Sequence, residues 1–341
     1  EEVGHEPVAV DLEPVAPADL VAEVAELLGR EPRRPIEFRS MSPEAFAAAV
    51  RARVEATFPE ATRAARADAF RLLGLMPGGV DWADVLTEHE LTGRVVMTNE
   101  SGDRIDVLAT TPPGDLYTRL ELVGTIADAI ARQHFPGDGP GAAADVPGRP
   151  AASDEDARRA RAALHEGFRS LAMVRYARER DIPSAARAPD ELIQDTRVRR
   201  RGDVRLRLAL ESTELGLWLR LPALVGSFFV DSLVGDFDPI AGVDPALDRP
   251  PSTTMEFFRP RWYHDAALWR ADPVAPDFAD GLLETPPILT DVLGIAGLVP
   301  VLRQWYPVDV AASLAGGWAG DRWALWRLPD GTSALLLETR W

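Results

Sequence analysis

The sequence predicts an α+β protein that is mainly helical, with a small antiparallel sheet and a C-terminal β-hairpin. Apolar residues recur at helical spacing in several segments, of which residues 153–180 form the longest. Two turn sequences, NESGD at residues 99–103 and LPDGT at residues 328–332, each lie between two short runs of strand-forming residues. Helices and hairpins in separate stretches of chain are typical of an α+β fold.

Each element has its own local signal. Ser42 and Pro43 provide a polar cap and a first-turn proline for one helix, and the glycines of LGLMPGG end the next. Ser153, with Asp156 three residues later, caps the longest helix. We predict helices at residues 18–28, 42–58, 60–73, 116–134, 153–180, 189–195, 204–219, 223–234 and 288–304, and hairpins pairing 94–98 with 104–110 and 322–327 with 333–340.

The predicted domain organisation is simple. Residues 1–36 form an extended, proline-rich lead with a short helix, and residues 37–341 form a single domain. Within that domain, residues 136–152 are rich in proline, glycine and alanine, which predicts a flexible loop.

Composition excludes several classes of function. The chain has 37 basic and 54 acidic residues, a net charge of −17, and every basic residue is arginine. This acidity argues against nucleic acid as a partner, since a polyphosphate needs an attractive surface. Cysteine is absent, which excludes disulfides, thiolate catalysis and cysteine-ligated metal.

Hydropathy and the first residues bear on location. No uninterrupted apolar run approaches the roughly 18 to 20 residues of a membrane span, so no transmembrane segment is predicted. The chain begins at Glu1 with a proline-rich lead, which is consistent with a precursor whose signal segment was removed. We therefore expect an extracytoplasmic protein (periplasmic, envelope-associated or secreted), with a cytoplasmic location left open.

Residues 123–135 read VGTIADAIARQHF, which resembles the HELxHALQDQHF helix of a bacterial zincin-like metallopeptidase family. In a zincin, His-Glu-x-x-His supplies two zinc ligands and the general base. The matching positions here are Gly124, Thr125 and Asp128. Residues 163–171, ALHEGFRSL, resemble the family's ALxEGDA segment, so the resemblance assigns the third ligand position to Glu166.

Further segments follow in the family's order and extend the resemblance over residues 72–341. They are LGLMP at 73–77, the stretch from PSTT to RWY at 251–263, and GWAGDR at 317–322. The resemblance implies a zincin-like fold. We interpret Asp321 and Arg322 in the last segment as a pair that fixes a turn. His134 and His165 face away from a shared metal on their helices, which favours structural roles.

Three functions remain open at this point. The first is a catalytically inactive zincin-like pseudopeptidase, without catalytic residues, metal or cofactor, that binds a protein partner or joins a larger assembly. The second is a carboxylate-dependent or weakly metal-dependent hydrolase using Asp128 and Glu166. In the third, a structural subunit, the former cleft is packed shut and the lead and the 136–152 loop dock the partner.

Overall fold

The computed structural model describes residues 16–92, 94–110, 116–135, 155–182, 213–234, 239–264 and 285–341. Its helices are α1 Pro17–Leu28, α2 Pro43–Thr57, α3 Glu60–Leu72, α4 Trp82–Leu91, α5 Leu116–His134, α6 Glu155–Glu179, α7 Thr213–Leu233, α8 Asp244–Asp248, α9 Met255–Phe258, α10 Pro260–His264, α11 Gly294–Arg303 and α12 Val308–Ala315, with a 3-10 turn at Ile240–Val243. Its strands are β1 Glu37–Met41, β2 Val96–Thr98, β3 Arg104–Leu108, β4 Leu289–Asp291, β5 Gly320–Arg327 and β6 Ser333–Arg340. The predominance of helix over small sheets confirms the predicted α+β class.

The chain forms two compact units. Unit 1 takes its described residues from Glu1–Phe46, Gly93–His134 and Arg169–Val198. Unit 2 takes its described residues from Ala47–Thr92, Phe135–Phe168 and Arg199–Trp341. The division falls inside α2 and inside α6. The prediction of one domain over residues 37–341 stays a prediction.

Unit 1 packs α5 on a three-stranded sheet and α1 on α5. The strand order is β1-β3-β2, and β2 and β3 form the predicted antiparallel hairpin. The sequence analysis missed β1, which pairs in parallel with β3 and makes this sheet mixed. Arg39 and Asp106 face each other in that register, and Arg39 Nε donates to Asp106 Oδ1 at 2.7 Å. An ion pair thus holds a short, polar edge strand.

Unit 2 surrounds an aromatic core. The Phe70 ring contacts the rings of Trp82 and Trp218 edge-on, with centroids 4.7 and 4.9 Å away, and all three side chains are buried. The second sheet has the order β4-β5-β6 with antiparallel pairs throughout, and β5 and β6 are the predicted C-terminal hairpin. Trp323 and Leu325 of β5 belong to the same core.

Helices α6 and α7 approach closely at two glycines. A Cβ on Gly167 would clash with the carbonyl oxygen of Gly226, and a Cβ on Gly226 would clash with that of Ala163. Only glycine lets the two backbones touch here, which accounts for both residues.

Helix α7 spans the break that was predicted between helices at residues 204–219 and 223–234, and residues 204–212 lie outside the described residues. Pro222 lies inside α7 and has no N–H to donate to the Trp218 carbonyl one turn earlier. Arg159 of α6 supplies the missing donor, because its Nη2 donates to the Trp218 oxygen. The Arg159 guanidinium also lies 3.9 Å from the centroid of the Trp218 ring. The helix therefore continues through its proline.

Other boundaries differ from prediction. Residues 288–304 form β4 and α11 in place of one helix, and Gly294, with a φ of 64°, starts the helix after the strand. Helices α4 and α12 and strand β1 were not predicted. The predicted helix at 189–195, residues 1–15 of the lead and the 136–152 loop lie outside the described residues.

Only α7 among the described helices is long and apolar enough to cross a bilayer, over Glu214–Leu233. A buried core helix meets the same criterion, and in this one the side chains of Leu215, Trp218 and Phe229 are buried. The described chain thus has no clear transmembrane segment, as predicted.

The hydrogen bond from Arg159 to the Trp218 carbonyl predicts that substitutions of Arg159 and Pro222 have coupled effects on stability. Arg159→Met should lower the free energy of unfolding by about 2–4 kcal/mol, because it leaves a buried carbonyl without a donor. Adding Pro222→Ala should recover part of that loss by restoring a helical N–H. Chemical denaturation of the two single variants and the double variant measures the coupling; simple additivity would contradict it.

Candidate functional site

Helix α5 lies in unit 1 and carries Gly124, Thr125 and Asp128, the three residues that the resemblance aligns with the zincin motif. Its observed bounds equal the predicted ones. Gly124, Thr125 and Asp128 are all buried. The motif segment is therefore a core helix of its unit.

Gly124 marks a close contact between α5 and the C-terminal half of α6. A Cβ at this position would lie 3.1 Å from the Cγ and Sδ of Met173 and 3.3 Å from the Arg169 carbonyl oxygen. An imidazole here would have to displace Met173, which is itself buried. The residue that the resemblance aligns with the first zinc ligand is thus part of a close contact between two helices.

A buried arginine, Arg169, contacts Thr125, which the resemblance aligns with the general base. Arg169 Nη2 donates to Glu121 Oε2 at 2.9 Å and lies 3.4 Å from Thr125 Oγ1. The side chains of Arg169 and Glu121 are only 8% and 9% exposed. This ion pair links α5 to α6 through a fixed positive charge.

Asp128, at the position of the second histidine, pairs within its own helix. Its Oδ2 accepts from Arg132 Nε at 2.9 Å, one turn later. The carboxylate is buried and the arginine is partly exposed. This geometry is a helix-stabilising i,i+4 pair.

The end of α5 is fixed to loops of the same unit. Gln133 Oε1 accepts from the Arg34 backbone N–H at 2.7 Å, and Gln133 Nε2 donates to the Gly102 carbonyl at 2.7 Å. Gly102 has a φ of 70°, and a Cβ there would clash with the Ala129 carbonyl. His134 Nε2 lies 2.8 Å from the Glu31 carbonyl oxygen. The family-like tail of the segment therefore anchors loops.

Glu166 lies on α6 in unit 2, half-buried, whereas Asp128 belongs to unit 1. His165 precedes it and is also half-buried. Among the described residues, no group of three or more His, Asp or Glu side chains is placed to hold a metal ion.

Sequence reasoning missed a buried carboxylate pair in unit 2, Asp156 and Asp321. Ser153, its partner in the predicted cap, lies outside the described residues. The Asp156 carboxylate accepts from residues far along the chain: Thr253 Oγ1 donates to its Oδ2 at 2.5 Å, and the Thr254 N–H and hydroxyl donate to it as well. Asp321 is likewise more than a turn residue. It accepts from the N–H groups of Leu293 and Gly294 at 2.8 and 2.9 Å, and from Trp318 Nε1 at 2.8 Å.

Both carboxylates converge on Gly294 at the start of α11. A Cβ on Gly294 would clash with the Asp156 carboxylate, and the Gly294 N–H donates to Asp321. Burial raises the pKa of Asp156 to about 6, against the hydrogen bonds from Thr253 and Thr254. Burial also raises the pKa of Asp321 to about 7, and the negative charge of Asp156 adds to this rise. Perturbed acids are typical of active sites, but protein donors occupy these oxygens, which favours a structural role.

Next to this pair lies an ion network at the N-terminus of α6. Arg66 Nη1 donates to Glu155 Oε2 at 2.7 Å, and Arg66 Nη2 donates to Asp291. Burial works to raise the pKa of Glu155, but the charges of Arg158 and Arg66 outweigh it and lower the pKa. Burial raises the pKa of Asp291 despite Arg66. The signal for this network in the sequence was the acidic start of α6, read only as a cap.

Comparison of the chain with known protein families, curated proteins and solved structures finds no match.

The pair between Arg169 and Glu121 should behave as a buried ion pair. Arg169→Met should lower the free energy of unfolding by about 3–5 kcal/mol, because Glu121 is left charged and buried. Glu121→Gln in the same chain should recover part of this loss. Urea unfolding of both single variants and the double variant tests the pair, and equal stability of Arg169→Met and the parent would refute it.

Asp321 should make stability depend on pH. Its pKa is 3.8 in the unfolded chain and about 7 in the folded one, so the folded state binds the proton more tightly. Its stabilising contribution is complete below about pH 4 and is lost as the pH rises to about 7, a change on the order of 4 kcal/mol at most. Asp321→Asn should flatten this slope, measured by denaturation at several pH values. Asp330→Asn, at an exposed turn, should leave the slope between pH 4 and 7 unchanged; an unflattened slope in Asp321→Asn would contradict the assignment.

Proposed function

We propose that this chain is a catalytically inactive zincin-like protein that binds a protein partner or serves as a subunit of an assembly, in an extracytoplasmic location. The packing of Gly124 carries the proposal. A catalytic zinc needs three protein ligands and an open position. A Cβ at position 124 would lie 3.1 Å from the Cγ and Sδ of the buried Met173, so a ligand side chain there requires Met173 to shift.

The neighbouring motif positions support the same conclusion. Thr125 contacts Arg169, whose positive charge opposes a cation nearby, and a hydroxyl is no base near neutral pH. Asp128 is engaged with Arg132. Each position that would perform catalysis in a zincin therefore has a packing or pairing role within unit 1.

The carboxylate hydrolase is the weaker alternative. It needs Asp128 and Glu166 to act together as acid and base, whereas the Asp128 carboxylate already accepts from Arg132.

Metal content separates the two functions. After zinc loading and dialysis, we expect elemental analysis to find no stoichiometric zinc in the parent chain or in Glu166→Ala. Glu179→Ala, which changes an exposed carboxylate on the same helix, serves as the matched control. Stoichiometric zinc in the parent and in Glu179→Ala, lost in Glu166→Ala, would overturn the proposal and justify peptidase assays.

A further inference from the structure

Helix α12 of unit 2 presents an apolar stripe. Val310 and Leu314, four residues apart, lie on one face and are exposed, whereas Ala311 and Ala315, one position later, are buried. Trp305 and Tyr306 precede the helix and expose 69% and 44% of their surface. Trp341 exposes 59% and packs its ring on Gly317, just after the helix. Both ends of the stripe are therefore aromatic.

The stripe has the size of one side of a protein interface. At roughly 200 Å² for each aromatic side chain, the three aromatic residues alone expose on the order of 350 Å², and the aliphatic residues add to this. Exposed apolar patches of this size mark interaction sites. A standard interface buries about 800 Å² on each partner, a little more than half of it apolar. The exposed apolar area of the stripe is therefore close to the apolar area that one side of such an interface buries.

The opposite charges at the two ends of the stripe favour a second copy of this chain as the partner. Asp309 lies in the first turn of α12, at one end of the stripe. Arg340 lies at the other end, where its carbonyl accepts from the Ala319 N–H and its ion pair with Glu338 is long, at 4.0 Å. If two copies pack stripe against stripe in antiparallel orientation, the Asp309 end of one meets the Arg340 end of the other. An isologous contact of this kind is the commonest in homo-oligomers.

We propose that the α12 stripe is the contact surface of a two-fold symmetric dimer, with a second copy of this chain as its occupant. The apolar residues meet their own copies near Val310 and Leu314, and the two acid–base pairs fix the antiparallel orientation. Repulsion between two chains of net charge −17 opposes association, so added salt should tighten the dimer. The inference does not depend on the proposed loss of zinc chemistry.

Sedimentation velocity over a wide concentration range tests the dimer. We expect the parent chain to form a dimer and Leu314→Asp to weaken it at least about tenfold. Phe228→Asp should leave the dimer intact, because Phe228 is 75% exposed on α7, away from the stripe in sequence. Circular dichroism of each variant excludes unfolding as the cause.

A charge exchange gives the sharper test. Asp309→Arg and Arg340→Asp should each weaken the dimer, and the double variant should restore it. A parent chain that stays monomeric at all concentrations would overturn the proposal, as would a dimer insensitive to Leu314→Asp. A monomer that floats with anionic lipid vesicles through Trp305 and Trp341 would overturn it in favour of a membrane surface. None of these outcomes alters the zinc analysis.

Discussion

Unit 2 depends on the ion network at the N-terminus of α6. Arg66 of α3 lies between Glu155 and Asp291, and the Asp291 carboxylate also accepts from the Glu155 N–H at 2.8 Å. Buried charges are tolerated only when each has its partner, so loss of one member leaves the others uncompensated. The end of β4, the start of α6 and one face of α3 are thus fixed together. Asp156, the next residue of α6, extends this constraint through Thr254, which accepts from the Ala296 N–H of α11.

In this chain, which has no lysine, arginine provides the positive charge or the donor that several buried acceptors need. Arg66 bridges two carboxylates, Arg159 serves a carbonyl that a proline leaves without a donor, and Arg169 joins two helices through Glu121. The guanidinium presents several donors in one plane and stacks on aromatic rings, as Arg159 does on Trp218. A lysine ammonium is a strongly hydrated point charge and would fit these buried sites less well. These three buried arginines are therefore part of the protein interior, as the buried aromatic residues are.

The elements that were predicted correctly are those whose formation depends on residues close together in the sequence. The family-like segment indicated the bounds of α5, and turn residues indicated both hairpins. Long-range partners account for the failures: β1 is held by Asp106, 67 residues from Arg39, and α7 continues through Pro222 because of Arg159, 59 residues from Trp218. At the candidate site, the sequence predicted that Gly124, Thr125 and Asp128 lie on one helix. The pairing of Arg169 with Glu121 was not predicted, because its residues lie 48 apart on two helices.

If the chain has lost peptidase chemistry, as proposed, the contacts of α5 show how a helix with a catalytic motif can take on a packing role. Active sites keep polar groups poised for substrate, at a cost in stability. Once that demand ends, the same positions can serve packing: Gly124 admits Met173, Thr125 contacts a paired arginine, and Gln133 holds two loops. Binding then needs no open cleft in unit 1 and can use any exposed apolar surface. The stripe on α12 is such a surface, and its residues lie outside α5.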